Sequence, residues 1–380
     1  IQSARPSRDQ ALQIAIERDK AQRVATLMTE VFSTSDPSAE RASDITVREA
    51  LDEGAERVLG ALSDQPEISA DLSGMIGKVY SNMNLFGEAR AYLEDAMSGL
   101  GGLENIGNLG RERQELTVDV AKRLAHAKMA AGDHAGAEAD LLELDKIARE
   151  TLGADHGSVL EIANSLTAVA HDGGDKDQAL RRSLDAVAIA EANPAFGPRL
   201  RALAHNNLAA ALQYRGQYEE AAERFRETLE ILRGELPEHH SDIVIAKASL
   251  AAAHLTMRES DEAAAYYEDV IATGRDHDIA PKTMAIALYG LGLIKLNGGD
   301  FADGEALIVE AIDRQVAIKP EPDYSITLQR YMHGVARHVS GDAPSARQIY
   351  REALATGLEK FPGRSLTARL QSHLAALALD

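Results

Sequence analysis

Gly216-Gln217-Tyr218-Glu219-Glu220-Ala221 is one of seven short phrases whose recurrence decides how this chain folds. The others run Asn84–Ala89, Gly132–Ala137, Gly174–Ala179, Arg258–Ala263, Gly299–Gly304 and Gly341–Ala346. Each opens with a turn-prone or polar residue and closes on a small one, at 89, 137, 179, 221, 263, 304 and 346. The spacings are 48, 42, 42, 42, 41 and 42 residues. Twelve residues before each closing residue stands a second column, Gly77, Ala125, Thr167, Ala209, Ala251, Gly292 and Gly334. Seven residues after it stands a third, Ala96, Leu144, Ala186, Thr228, Val270, Ala311 and Ala353. Fixed small residues on both sides of a turn let two helices approach closely. Larger side chains between the columns, such as Phe225, Tyr267, Ile308 and Tyr350, fill the space towards the next unit. A fixed period of this length marks stacked helical hairpins.

The columns resemble the tetratricopeptide repeat (TPR), in the 42-residue form of kinesin light chains and many bacterial proteins, although the Trp column of that family is empty here. The resemblance covers about Pro66 to Gly363 and implies an all-α, right-handed superhelical solenoid of about seven hairpins with one concave face. Three segments are expected: a helical adaptor over 1–65, the repeats over 66–363 and a capping helix over 364–380. In the adaptor, Arg8–Phe32 has a helical pattern, Ser33–Ala42 is a connector, and Thr46-Val47-Arg48-Glu49 is a capping box opening a helix to about Leu62. At the other end, Ser365–Leu379 reads as a lone cap or the start of an interrupted eighth repeat. The six extra residues of the first spacing fall in glycine-rich Gly99–Gly110, which lacks G-x-G-x-x-G and reads as an inter-repeat loop.

Composition narrows the function classes. Forty Lys and Arg against 60 Asp and Glu give a formal charge of −20, which disfavours nucleic acid and anionic membranes as partners. With no cysteine, disulfides, thiolate metal sites and cysteine nucleophiles are excluded. An aromatic content of 4% in an alanine-rich chain favours closely packed helices. Polar residues interrupt every apolar stretch well short of a membrane span, and no secretory signal pattern follows Ile1–Gln10. A start at Ile1 rather than Met is what a piece of a longer protein would show.

A second likeness lies in the first hundred residues. Glu17-Arg18-Asp19-Lys20-Ala21, Val31-Phe32-Ser33-Thr34-Ser35-Asp36-Pro37 and Thr46–Val58 lead into Asp64-Gln65-Pro66-Glu67, Ile76–Tyr80 and Asn84-Leu85-Phe86. Their succession resembles the TPR region that follows the kinase domain, and usually one transmembrane helix, in a large family of bacterial serine/threonine protein kinases. That resemblance implies a sensor or docking region, extracytoplasmic (periplasmic) if attached to a transmembrane kinase. The alternative is a cytoplasmic scaffold or the regulatory region of another multidomain signalling protein. The chain itself has no kinase glycine loop, V-A-I-K lysine, H-R-D-L-x-x-x-N or D-F-G, so no catalytic residue, cofactor or metal is expected in it.

His156 and His240 stand 84 residues apart, with Pro198 at the intervening position. In Leu152-Gly153-Ala154-Asp155-His156 and Leu236-Pro237-Glu238-His239-His240 they read as turn residues that start the next helix. In TPR units the first helix of each hairpin lines the concave groove, and the resemblance implies that positions three before, one after and four after the small column face it. Asn164 and Asn206 occupy the first position one repeat apart, suited to bonding both groups of a peptide backbone. Gln213 adds a further amide, while Lys78, Lys122 and His126 form a basic spot suited to a carboxylate or acidic peptide. Towards the C-terminus the rows turn apolar at Tyr289, Leu293, Leu296 and Tyr331, forming either a docking surface or a groove filled by neighbouring helices. The expected partner is a protein or peptide in the groove, with room for a homodimer and no insertion of this chain into a membrane.

Overall fold

A computed structural model describes residues 47–318 and 323–378, apart from 61, 63 and 84. The described residues hold sixteen α-helices and one short 3-10 helix, with no strand among them. The expected Arg8–Phe32 helix, the Ser33–Ala42 connector and the Thr46 end of the capping box lie outside the described residues.

The chain divides into two compact units, residues 1–175 and 176–380. In the first, α1 (Val47–Gly60) precedes the hairpins α2 (Pro66–Asn82)–α3 (Phe86–Leu100) and α4 (Arg111–Ala130)–α5 (His134–Thr151), and α6 (Gly157–Asp172) follows. Its interior has two apolar clusters, one around Tyr80, Leu93 and Val120 and one around Val118, Leu141 and Ile162. The glycine-rich stretch between α3 and α4 is the loop its composition predicts; its 3-10 turn, Leu103–Asn108, tucks Ile106 into the second cluster.

In the second unit α7 (Lys176–Ala192) packs on α8 (Pro198–Arg215), which pairs with α9 (Tyr218–Arg233). The hairpins α10 (Ser241–Thr256)–α11 (Ser260–Asp276), α12 (Pro281–Asn297)–α13 (Phe301–Ile318) and α14 (Tyr324–Val339)–α15 (Ala343–Lys360) follow. A last helix, α16 (Ser365–Ala376), packs on α15. The unit boundary falls inside the phrase Gly174–Ala179, so six hairpins lie wholly within one unit and the remaining turn separates α6 from α7.

Each repeated phrase is a helix stop followed by a helix start. The first helix of a hairpin ends on a residue in the left-handed region: Gly132, Gly174, Gly216, Gly299 and Gly341 have φ between 83° and 86°. One residue later the backbone N–H reaches back to close the turn, as from Asp133 to the Lys128 carbonyl at 3.0 Å and from Gln217 to that of Leu212 at 3.0 Å. This closure satisfies carbonyls that the helix end would otherwise leave bare. The same residue in two phrases then caps the second helix: the carboxylates of Asp133 and Asp342 accept from the backbone N–H of Gly136 (2.9 Å) and Ser345 (3.2 Å). Such a cap contributes about 1 kcal/mol. Arg258 holds the same left-handed position with φ 65°, where the neighbouring repeats have glycine.

The small columns are the lines along which paired helices touch. All seven closing residues are buried, as are all seven of the third column. At the α12–α13 crossing a Cβ added to Gly292 would lie 3.0 Å from the Gly304 carbonyl oxygen, and one added to Gly304 would lie 2.9 Å from that of Gly292. The larger side chains of the second helices press on these columns. Ile308 lies against Gly292 and Tyr350 against Gly334 within a hairpin, whereas Tyr267 lies against Gly290 of the following one. Filling therefore occurs inside hairpins as well as between them. His156 and His240 start helices as their turn position predicts: their Nδ1 atoms accept from the backbone N–H of Ser158 (3.3 Å) and Asp242 (3.2 Å), opening α6 and α10.

Candidate functional site

In the first unit, the two lysines of the expected groove spot converge on carboxylates. Lys122, on α4, pairs with Asp119 at 3.2 Å and with Glu161 of α6. Asp119 also receives Arg123 at 2.9 Å and Lys78 of α2 at 3.8 Å. Burial alone would raise the Asp119 carboxyl, but Lys122, Arg123 and Lys78 outweigh it and hold it below the ordinary range. His126, one turn along α4, places Nε2 2.8 Å from the Ser165 hydroxyl. That hydroxyl donates to the Glu161 carbonyl at 3.0 Å, so its oxygen is left to accept from the imidazole N–H. Burial, reinforced by Lys122 and Arg123, pushes His126 down to about 4, and it is neutral at pH 7. Three cations thus face two carboxylates, and most of the positive charge expected here is spent within the protein. Asn164 is buried in α6. Lys78, by contrast, remains exposed.

The second unit presents a different surface. Asn206 and Gln213 lie on α8, both half-buried, and neither makes a side-chain hydrogen bond among the described residues. Seven residues apart, they share one helix face about 10 Å from each other. Tyr289 on α12 is half-buried, and burial together with nearby Tyr331 pushes its hydroxyl up to about 12. Tyr331 is only 8% exposed. Its hydroxyl meets His373 Nε2 of α16 at 3.1 Å, while Tyr350 reaches His373 Nδ1 at 3.3 Å. Burial, and then His338, lower the His373 pKa. Leu296 is buried against Ile308 and Ala336. Of the two readings of this apolar end, Tyr331 and Leu296 follow the filled groove, and only Tyr289 and Leu293 keep partial access.

One row was absent from the sequence reading. Six residues before the small column stand Leu203, Ile245 and Ile286, exposed by 45%, 41% and 42% on α8, α10 and α12. Leu328 continues the register on α14, half-buried. The equivalent residues of the first unit are Asp71, Asp119 and Glu161. The signal that could have found the row is the 42- and 41-residue spacing itself. Among the described residues no group of three or more His, Cys, Asp or Glu is arranged to hold a metal ion. No helix among them is long and apolar enough to cross a membrane.

A tetratricopeptide repeat family model matches residues 200–276. No curated protein sequence matches the chain. Among solved structures, the apo form of RapI is 16% identical with a TM-score of 0.56, covering 76% of this chain and 97% of its own. BtubC (BKLC) from P. vanneervenii is 21% identical with a TM-score of 0.52, covering 61% of this chain and 94% of its own. A Signal Transduction ATPase with Numerous Domains (STAND) protein with a tetratricopeptide repeat sensor, from Pyrococcus horikoshii, is 15% identical with a TM-score of 0.58; the match covers 86% of this chain but 46% of that one. These likenesses are of fold. The chain is a helical-hairpin repeat protein, suited to protein–protein interaction, with the tetratricopeptide pattern in residues 200–276.

Proposed function

We propose that this chain is a non-enzymatic binding module that holds a partner segment along the first-helix face of its hairpins. The observation that carries this reading is the pair Asn206 and Gln213, whose side-chain amides share one accessible face of α8 and form no hydrogen bond among the described residues. A partly buried amide without a protein partner is a donor and acceptor set available to a peptide backbone. Selection from a displayed peptide library on the immobilised protein tests it. Enriched peptides should lose binding to the Asn206→Ala, Gln213→Ala double variant at unchanged helicity. Failure to enrich any peptide, or equal binding to the double variant, refutes the reading.

The likeness of Arg18–Met97 to the region behind bacterial serine/threonine kinase domains supports a place for this module in such a protein, as its sensor or docking region. In that setting it lies on the extracytoplasmic side, and partner binding acts on the kinase through the segment preceding α1. Reading the coding sequence upstream of Ile1 decides the point. A kinase domain followed by about 20 apolar residues supports it; their absence leaves a cytoplasmic scaffold or another regulator.

A further inference from the structure

Single exposed aliphatic residues are ordinary on protein surfaces. Leu203, Ile245 and Ile286 are not scattered: they repeat at one register on three successive first helices, each more than 40% exposed. Each stands three residues, less than one helical turn, before a residue of the adjoining row, Asn206, Ala248 or Tyr289, so the two rows share a face. Along the ridge and the three rows that follow it charge is missing, and one turn before it stand Arg199, Asp242 and Lys282, the first two paired with each other. Positions six and three before, and one and four after, the small column on α8, α10, α12 and α14 make sixteen sites without a Lys, Arg, Asp or Glu, although such residues are 26% of the chain. The same positions on α2, α4 and α6 hold five charged residues among twelve. A charged group laid between the four rows would lose water and gain no partner there. Acidic residues still outnumber basic ones over the whole unit, 29 to 23 in residues 176–380, so its surroundings favour cationic flanks.

We propose that this ridge receives a partner segment in the polyproline II conformation, uncharged and aliphatic at every third residue, with Lys or Arg at its ends. The inference rests on the first-helix face being the binding surface and adds the chemistry of its occupant. The conformation follows from spacing. First helices in direct contact, as α8 with α10 and α10 with α12, lie about 8–10 Å apart. Polyproline II rises about 3.1 Å per residue with three residues per turn, so every third side chain returns to the same side after about 9 Å. A β-strand alternates sides every residue and offers about 7 or 13 Å on one side. An α-helix could match the spacing with every seventh residue, but its backbone bonds are already internal. The polyproline II backbone has none, and the unused amide of Asn206, one turn from Leu203, can supply a partner.

Fluorescence anisotropy with defined synthetic peptides tests this. The probe is three Leu-Pro-Ser triplets with two lysines at each end. It should bind the wild-type chain, and Ile245→Glu, at an exposed site, should weaken it by about tenfold or more while far-UV circular dichroism stays unchanged. A peptide of the same composition with its leucines adjacent, and one with glutamates in place of the terminal lysines, should bind at least several-fold less. Equal binding of the adjacent-leucine peptide, stronger binding of a helical peptide with leucine at every seventh position, or an unchanged Ile245→Glu affinity overturns the proposal. The two readings fail differently. Library peptides that need Asn206 and Gln213 but ignore Ile245→Glu sink the ridge and keep the face; a library that yields no binder sinks the face itself.

Discussion

Replacing Arg258 by glycine should stabilise this protein. Arg258 ends α10 with φ 65°, at the register where Gly216 and Gly299 hold the adjoining repeats at 85° and 86°. An L-residue in this region places Cβ against the following carbonyl oxygen, at a cost of about 1–2 kcal/mol. Glycine removes that strain but gives the unfolded chain more freedom, which returns about 0.5–1 kcal/mol. The Arg258 side chain is exposed and forms no ion pair among the described residues, so its loss adds no further term. The turn closure through the Glu259 N–H and the His254 carbonyl, 3.0 Å, is a backbone bond that glycine retains. The net gain is about 0.5–1 kcal/mol. Urea unfolding followed by far-UV circular dichroism measures it as a higher midpoint at unchanged slope. Gly216→Arg, one repeat upstream, is the mirror experiment and should lower stability by a similar amount. A neutral or destabilising Arg258→Gly, together with a harmless Gly216→Arg, would show that the turn tolerates any residue and refute the strain argument.

Three further outcomes are expected. His126 has a folded pKa of about 4 against an ordinary 6.5, so the unfolded chain binds its proton first as pH falls; its contribution to stability is full above 6.5, declines between 6.5 and about 4, and is flat below. Each tenfold change in proton affinity is worth about 1.4 kcal/mol, so His126→Gln should remove up to about 3 kcal/mol of that pH dependence, read as the difference between wild-type and variant unfolding curves; parallel curves would contradict it. Gly304→Ala should destabilise by about 1 kcal/mol, because overpacking at about 1–3 kcal/mol exceeds the helix-propensity gain of about 1, whereas Gly87→Ala, whose Cβ would meet nothing within 4 Å, should be neutral or stabilising; equal signs for the two would sink the crossing argument. Tyr350→Phe removes the hydroxyl that meets His373 Nδ1 and should cost about 1 kcal/mol, seen as earlier loss of amide protection in α16, and unchanged exchange there would count against that bond.

The hairpins were legible because their signals are local. A glycine that must take a positive φ and an aspartate that caps the next helix sit together in one phrase, and the phrase recurs. Side-chain partnerships across repeats were harder to read. On α4 Lys122 has only Asp119 in reach until Glu161, 39 residues away, is brought beside it by the packing of α4 and α6. Asp119, Glu161, Leu203, Ile245 and Ile286 all belong to a single row, six before the small column. That row carries both the acids that neutralise the first unit's lysines and the aliphatic ridge of the second. Tyr331 likewise owes its burial to a residue distant in sequence. Its cover, His373, stands 42 residues downstream, where an eighth first helix would place it.

That placement of α16 bears on assembly. A hairpin at the end of a stack offers the same kind of face that its predecessor offered to it, and a face of this kind can recruit another molecule head to tail without closing a ring. By drawing Tyr331 and Tyr350 onto His373, α16 uses that face inside its own chain and turns Ala368, Arg369, Gln371 and Ser372 to the outside. At this end of the second unit, the face that Tyr331 and Tyr350 line is thus occupied from within the chain.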